Sequence, residues 1–152
     1  MQVENLRDIL HWTEVYHRRL SDYLQECADK QSSERVKLLL EYLSEHEGHL
    51  SELFEAFEAQ SELKTLNTWC YEYLDKNPIQ LAGEEDIPLN EASTQEVMRT
   101  IAAQHDQVTG LYRYLLARAN IPSNIELLER LLALEEHEVM RMMHGANRWE
   151  DS

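Results

Sequence analysis

The tripeptide Glu-His-Glu occurs twice in the sequence, at 45–47 and again 91 residues later at 136–138. Carboxylate and imidazole groups are side chains with which proteins bind iron, manganese and zinc. The same triplet also fits the solvated face of an amphipathic helix, where it would have no chemical role. Two copies at a fixed offset favour a metal site, because a duplicated unit can bring the same ligand types together twice.

Four long helices are expected to carry these residues, because apolar residues recur at intervals of three and four and strand-like alternation is absent. The predicted helices span 3–29, 33–59, 94–119 and 124–144. Short turns near 30–31 and 121–122 make each successive pair an antiparallel hairpin. The offset of 91 also relates the Tyr-Leu pairs at 23–24 and 114–115, so the two hairpins are predicted to be copies of one unit.

The helix ends carry recognisable signals. Ser93 and Ser123 are each followed by a glutamate three residues later, the pattern of a capping box, and are predicted to cap the third and fourth helices. Gly145 follows the last predicted turn of the fourth helix and is expected to end it.

The two hairpins are joined by a long connection, residues 60–93, with a short helix expected near 64–75. A connection of this length can run along a bundle, and we expect it to bring the third helix parallel to the first. The sequence therefore predicts an all-α protein with one domain over residues 1–152. Its parts are a hairpin at 3–59, a crossover at 60–93 and a hairpin at 94–145.

Two geometric operations place candidate ligands in one layer of this bundle. With the first turn centred at 30.5, residues whose numbers add to 61 lie at the same depth, as Glu14 and Glu47 do. In the second hairpin the corresponding number is 243, which relates His105 to Glu138. Glu14 and His105 are also partners at the offset of 91. His46 and His137 adjoin the layer, and His17 lies one helical turn from Glu14.

Carboxylates gathered inside a bundle repel one another, so they need protons, cationic partners or a metal ion. Iron, manganese and zinc all suit a set of carboxylate and imidazole ligands. The alternative for each residue is simpler: the glutamates can be solvated, and a histidine on an apolar face can be a hydrogen-bonded core residue.

Composition excludes several functions. The formal charge of −15 argues against partners that present phosphate groups, whether nucleic acid or an anionic membrane surface. No apolar run approaches the roughly 20 residues that span a bilayer, and no signal peptide is recognisable. Cys27 and Cys70 do not form a CxxC pair, and reduced thiols in a cytoplasmic protein are the simplest interpretation. Neither a nucleophile elbow nor a phosphate-binding glycine loop is present.

The whole arrangement resembles the ferritin-like superfamily, in its bacterioferritin and rubrerythrin branches. Those proteins have two duplicated hairpins, a long crossover and a di-iron site in the middle of the bundle. The family places a glutamate on each first helix and Glu-x-x-His on each second helix. The resemblance implies that Glu14 matches the first-helix glutamate, and that Glu47 and Glu138 match the glutamates of the second-helix motif.

This sequence departs from the family pattern at three positions. Leu50 and Arg141 stand three residues after the two matched glutamates, where the family has histidine, and His105 stands for the glutamate of the third helix. If the register is shifted by one, His46 and His137 take the glutamate positions instead. Neither register contains an intact Glu-x-x-His motif.

Two functions follow from this departure. The first is a metal-binding protein with a variant carboxylate and histidine site that handles iron, as one ion or a pair, or zinc or manganese. If it is an enzyme, it is a di-iron-type oxidoreductase. The second is a metal-free bundle, with the charge of Arg141 in place of a metal, that works through protein interactions. In both cases the protein is expected to be a homo-oligomer.

Overall fold

In a computed structural model the chain is a bundle of four long helices, with residues 5–61, 63–66 and 89–150 described. The helices are α1 (Leu6–Lys30), α2 (Glu34–Gln60), α3 (Leu63–Leu66), α4 (Thr94–Arg118) and α5 (Pro122–Glu150). No strand occurs within these described ranges, so the prediction of an all-α fold is confirmed. The short α3 lies where a crossover helix was expected to begin, and residues 67–88 lie outside the described part.

The chain direction of α4 relative to α1 differs from the prediction. Thr13 contacts Tyr112 through their hydroxyl groups, whereas Tyr16, further along α1, contacts the earlier residue Gln104. Residue numbers therefore rise in opposite directions, and α4 is antiparallel to α1. The expectation of a parallel arrangement was wrong because a connection that runs the length of the bundle returns the chain to the end where α2 began.

The helix starts follow from side-chain capping, with one exception. At α4 the predicted capping box is present: Ser93 accepts from the Glu96 amide, and the Glu96 carboxylate accepts from the Ser93 amide. The predicted box at Ser123 is wrong, since α5 begins at Pro122 and Ser123 lies inside it. Proline fits the first turn of a helix, where its missing N–H is not needed. The carbonyl of Ile121 accepts the first amide bonds instead.

The two hairpins repeat with an offset of 88 residues, not the predicted 91. The equivalent helix boundaries are Leu6 and Thr94, Lys30 and Arg118, and Glu34 and Pro122. The difference of three residues is close to one helical turn, so both offsets superimpose apolar positions on apolar positions. Each long helix contributes side chains that are wholly buried in the core, for example Leu10, Leu39, Ile101 and Leu131.

Gly145 was predicted to end α5, and this prediction was wrong. The glycine lies within the helix, against Tyr42 of α2. The Tyr42 hydroxyl donates to the Met142 carbonyl at 3.1 Å. A Cβ atom added at Gly145 would lie 1.9 Å from the Tyr42 hydroxyl oxygen and 2.9 Å from Cζ. Glycine is therefore needed here because the Tyr42 side chain packs directly on the backbone of α5 at this point.

Replacing Gly145 by alanine should lower the free energy of unfolding by about 1–3 kcal/mol, because Tyr42 has to move out of its place on α5. The matched control is Gly48→Ala in α2, where the added Cβ would meet Ser21 Oγ at an ordinary 3.4 Å. The control should gain up to about 1 kcal/mol from helix propensity. Urea denaturation measures both changes, and equal effects in the two variants would contradict this account of Gly145.

Among the described residues, no helix combines the length and the apolar character that crossing a membrane requires.

Candidate metal centre

Two histidines and two glutamates, one from each long helix, meet in the middle of the bundle. His17 Nδ1 lies 2.7 Å from Glu47 Oε1, and His17 Nε2 lies 3.0 Å from Glu135 Oε2. His105 Nε2 lies 2.6 Å from Glu47 Oε2, and His105 Nδ1 lies 2.7 Å from Glu135 Oε1. The four side chains thus form a closed His–Glu ring, in which every nitrogen faces a carboxylate oxygen.

The His–Glu ring follows the structural repeat of the two hairpins. His17 and Glu47 are 30 residues apart, as are His105 and Glu135, and the offset of 88 relates the first pair to the second. The two imidazoles stack with centroids 5.2 Å apart and planes 24° apart. Each hairpin therefore supplies one histidine and one glutamate in the same way, and the ring closes only when the hairpins pack together.

The surroundings of the ring are largely apolar and aromatic. Glu47 and Glu135 are wholly buried, His17 is too, and His105 is 2% exposed. The Phe54 ring stacks on His17 with centroids 5.6 Å apart. Coulomb interactions are stronger in this low-dielectric setting than in water, so the charges on these four residues are tightly coupled.

The protonation of the four residues follows from their mutual contacts. Burial alone would lower the pKa of His17, but the carboxylates of Glu135 and Glu47 outweigh it and raise the pKa to about 9. Burial opposes the charged form of His105 in the same way, yet the two glutamates raise its pKa to about 10. Burial would raise the pKa of Glu47, but His105 and His17 lower it to about 2. The pKa of Glu135 is lowered by the same two histidines against the effect of its burial.

At neutral pH the ring therefore holds two imidazolium cations and two carboxylate anions. Each imidazolium donates two N–H groups, and each carboxylate accepts two hydrogen bonds. The net charge of the ring is zero. A divalent ion with two neutral imidazoles and two carboxylates would have the same net charge, because metal binding displaces the protons of its ligands.

The donor atoms of the ring fit a transition-metal ion. His17, His105 and Glu135 each offer one ligand atom, and the three atoms lie within 4.8 Å of one another. Imidazole nitrogen and carboxylate oxygen are ligands of zinc, iron and manganese. In a bound state these atoms would lie about 2.0–2.2 Å from the ion.

The ring contains three of the residues that the sequence singled out. His17, Glu47 and His105 all belong to it, and they come from three different helices. The fourth member, Glu135, was not among the candidates. It lies one turn before the candidate Glu138 on α5, and the offset of 88 from Glu47 is the signal that would have identified it.

The other candidates lie outside the ring. The carboxylate of Glu14 contacts the Arg18 guanidinium and lies 3.6 Å from His11 Nδ1. Glu138 is 9% exposed and faces Arg141 at 3.4 Å. Arg141 therefore pairs with this glutamate and does not replace a metal in the ring.

The two histidines of the repeated triplet are also separate from the ring. His46 packs on Tyr42 with ring centroids 4.5 Å apart, and burial lowers its pKa. His137 is exposed on α5. The repeated tripeptide thus marks two helix segments close to the site, of which only Glu47 reaches it.

A second group of ligand types lies between α1 and α2. His11, Glu14 and Glu58 offer atoms within 4.8 Å of one another. His11 is exposed, and Arg18 already neutralises the buried carboxylate of Glu14. This group therefore does not need a metal ion to compensate its charge, in contrast to an isolated carboxylate pair.

Comparison with known proteins identifies a solved structure with a similar fold. No family model matches the sequence, and no curated protein is significantly similar to it. The structure is similar to the crystal structure of a protein from Thermotoga maritima proposed to be a ferritin-like diiron-carboxylate protein. The match covers 97% of this chain and 98% of that chain, with a TM-score of 0.61 and 13% sequence identity. The chain is therefore a ferritin-like four-helix bundle, and at this identity the similarity concerns the fold alone.

Proposed function

We propose that this protein binds a divalent transition-metal ion in the His–Glu ring and serves in the handling of iron or a related metal, or in redox chemistry. The observation that carries the proposal is the ring itself, with four buried ligand side chains from four helices converging on one point. The fold adds support, since the similar structure from Thermotoga maritima is described as a diiron-carboxylate protein.

Stability alone gives a poor reason for the ring. Buried ion pairs are often no more stabilising than apolar side chains of similar volume, because both charges lose their hydration. The rest of the core consists largely of such apolar side chains. Two glutamates and two histidines are therefore better explained by a ligand than by packing.

The residues of the ring favour one ion over a pair. The family resemblance implies a histidine three residues after each second-helix glutamate. After Glu47 this position is the apolar Leu50, and after Glu135 it is Glu138. The ring offers at most four ligand side chains, and three or four protein ligands are the number that holds one zinc, iron or manganese ion. We infer that the ring does not hold the complete di-iron set.

The setting of this function is also part of the proposal. We place the protein in the cytoplasm, where thiols stay reduced, because Cys27 is free and buried. We further propose that it is a homo-oligomer. Apolar side chains at the surface, Leu38, Ile121 and Met140, offer contacts for another copy. Light scattering during gel filtration measures the number of copies.

The second candidate function is a metal-free bundle that acts through protein interactions. One observation favours it: the ring is already complete, since every one of its nitrogen and oxygen atoms has a hydrogen-bond partner and its charges cancel. In this case the four residues would fix the packing of the two hairpins, and no ion would enter.

Metal content separates the two candidates. The protein is purified without chelator or affinity tag, loaded anaerobically with Fe(II) or with Zn²⁺, desalted and analysed by mass spectrometry. We expect about one ion per chain, retained in the control His137→Ala and lost in His105→Gln, with helicity checked by circular dichroism. Near-zero iron, manganese and zinc before and after loading would overturn the proposal and leave the metal-free bundle.

A further inference from the structure

Glu47 and Glu135 occupy equivalent positions in the two hairpins, but we expect them to have different roles when an ion is bound. We propose that His17 Nε2, His105 Nδ1 and Glu135 bind the ion, while Glu47 remains outside the coordination sphere and holds both imidazoles in place. This inference rests on the proposed function, because it assigns roles to residues of the same site.

The hydrogen-bond pattern forces a division of roles. A neutral imidazole has one N–H and one lone pair, so it can donate on one side and bind a metal on the other. His17 and His105 each turn one nitrogen to Glu47 and the other to Glu135. If both imidazoles bind one ion, their two N–H groups point to the same carboxylate. One glutamate therefore shares the ion, and the other accepts two hydrogen bonds.

Two observations select Glu135 as the ligand. Glu135 and the two histidines each offer one donor atom, and the three atoms lie within 4.8 Å of one another; the nitrogens that face Glu135 are His17 Nε2 and His105 Nδ1.

The two ends of the ring also differ one helical turn further on. Glu138 follows Glu135 and adds a mostly buried carboxylate, whereas Leu50 follows Glu47 and adds only apolar surface. One turn beyond the ring, α5 thus presents a second carboxylate, which pairs with Arg141, where α2 presents an apolar side chain.

The opposite carboxylate has a defined part in this arrangement. With the ion at the other end, Glu47 accepts N–H groups from His17 Nδ1 and His105 Nε2, at the present distances of 2.7 and 2.6 Å. A carboxylate in this position fixes the tautomer and orientation of a metal-binding histidine and raises its basicity. Glu47 is therefore a positioning residue. Two histidines and one carboxylate leave coordination positions open for a further ligand.

Matched substitutions test the assignment, because Glu47→Gln and Glu135→Gln make the same change at equivalent positions. We expect Glu135→Gln to lose the ion. Glu47→Gln should keep one ion per chain with an affinity for Zn²⁺ about 10–100-fold weaker, the usual effect of an outer-shell partner. Competition with a coloured chelator measures both affinities, and the wild-type chain is the reference.

The outcomes separate this inference from the proposed function. Absence of Zn²⁺ binding in the wild-type chain would refute the function itself. Binding in the wild type with equal losses in both variants, or a larger loss in Glu47→Gln, would refute only the division of roles.

A second measurement does not depend on the folding of either variant. In Co²⁺-loaded wild-type protein we expect two paramagnetically shifted, exchangeable N–H signals. Nitrogen-15 labelling should assign them to His17 Nδ1 and His105 Nε2. Assignment to the opposite nitrogens, or the absence of both signals, would contradict the inference.

Discussion

Replacing His105 by leucine should lower the free energy of unfolding of the metal-free protein by about 3–5 kcal/mol. The reason is charge imbalance in a buried site: two wholly buried carboxylates, Glu47 and Glu135, would be left with a single imidazolium between them. Leucine has a volume similar to that of histidine, so the loss cannot be attributed to a large cavity. Urea denaturation in the presence of a chelator measures the change.

The matched control replaces the whole ring by leucine, at His17, Glu47, His105 and Glu135 together. This removes every charge at once, and such replacements are often neutral or stabilising. We therefore expect the fourfold variant to recover most or all of the wild-type stability while it loses all metal binding. If the fourfold variant were as unstable as His105→Leu, the ring would be a structural requirement of the fold.

Raising the pH from 6.5 to 10 should destabilise the metal-free protein. The pKa values of His17 and His105 are raised from the ordinary 6.5 to about 9 and about 10. Between these limits the folded protein keeps two protons that the unfolded chain has released. Stability falls with rising pH wherever the native state binds more protons. The contribution of the two histidines is therefore complete below pH 6.5 and is lost as the pH passes 9 to 10.

At acidic pH the dependence of stability on pH has the opposite sign, because stability falls as the pH is lowered. The pKa of Glu47 is lowered from 4.5 to about 2, so its contribution is present above pH 4.5 and disappears as the pH falls towards 2. Thermal unfolding, measured between pH 2 and pH 10 in the presence of a chelator, records the loss of stability at both the acidic and the alkaline end. The fourfold leucine variant should show a flatter profile, and an identical profile in the two proteins would contradict the charge assignment.

The sequence was sufficient to predict the fold, because four long apolar stripes and two short turns leave few arrangements. The site was harder because it depends on where each turn is centred. The helices end and begin at Lys30 and Glu34, so the first turn lies at about 32 and not at 30.5. This moves the partner of a residue by three positions, close to one helical turn.

That shift of one turn explains which candidate residues belong to the His–Glu ring and which do not. With the turn at 32, Glu47 lies level with His17, and with the second turn at about 120, His105 lies level with Glu135.

The offset of 91, inferred from the sequence, paired Glu47 with Glu138. The apolar positions did not expose this error, because the offsets of 88 and 91 both align leucines of one hairpin with leucines of the other. Apolar periodicity cannot distinguish registers that differ by a turn, whereas the caps of α1 and α4, at Asn5 and Ser93, give the offset of 88.

The position of a bound ion is the most direct test of the account as a whole. Crystals grown with Zn²⁺ would be measured at wavelengths above and below the zinc absorption edge. We predict one strong anomalous peak per chain inside the ring, within about 2.0–2.2 Å of His17 Nε2, His105 Nδ1 and a carboxylate oxygen of Glu135. A map with no peak among these residues, or with its only peak at His11, Glu14 and Glu58, would contradict it.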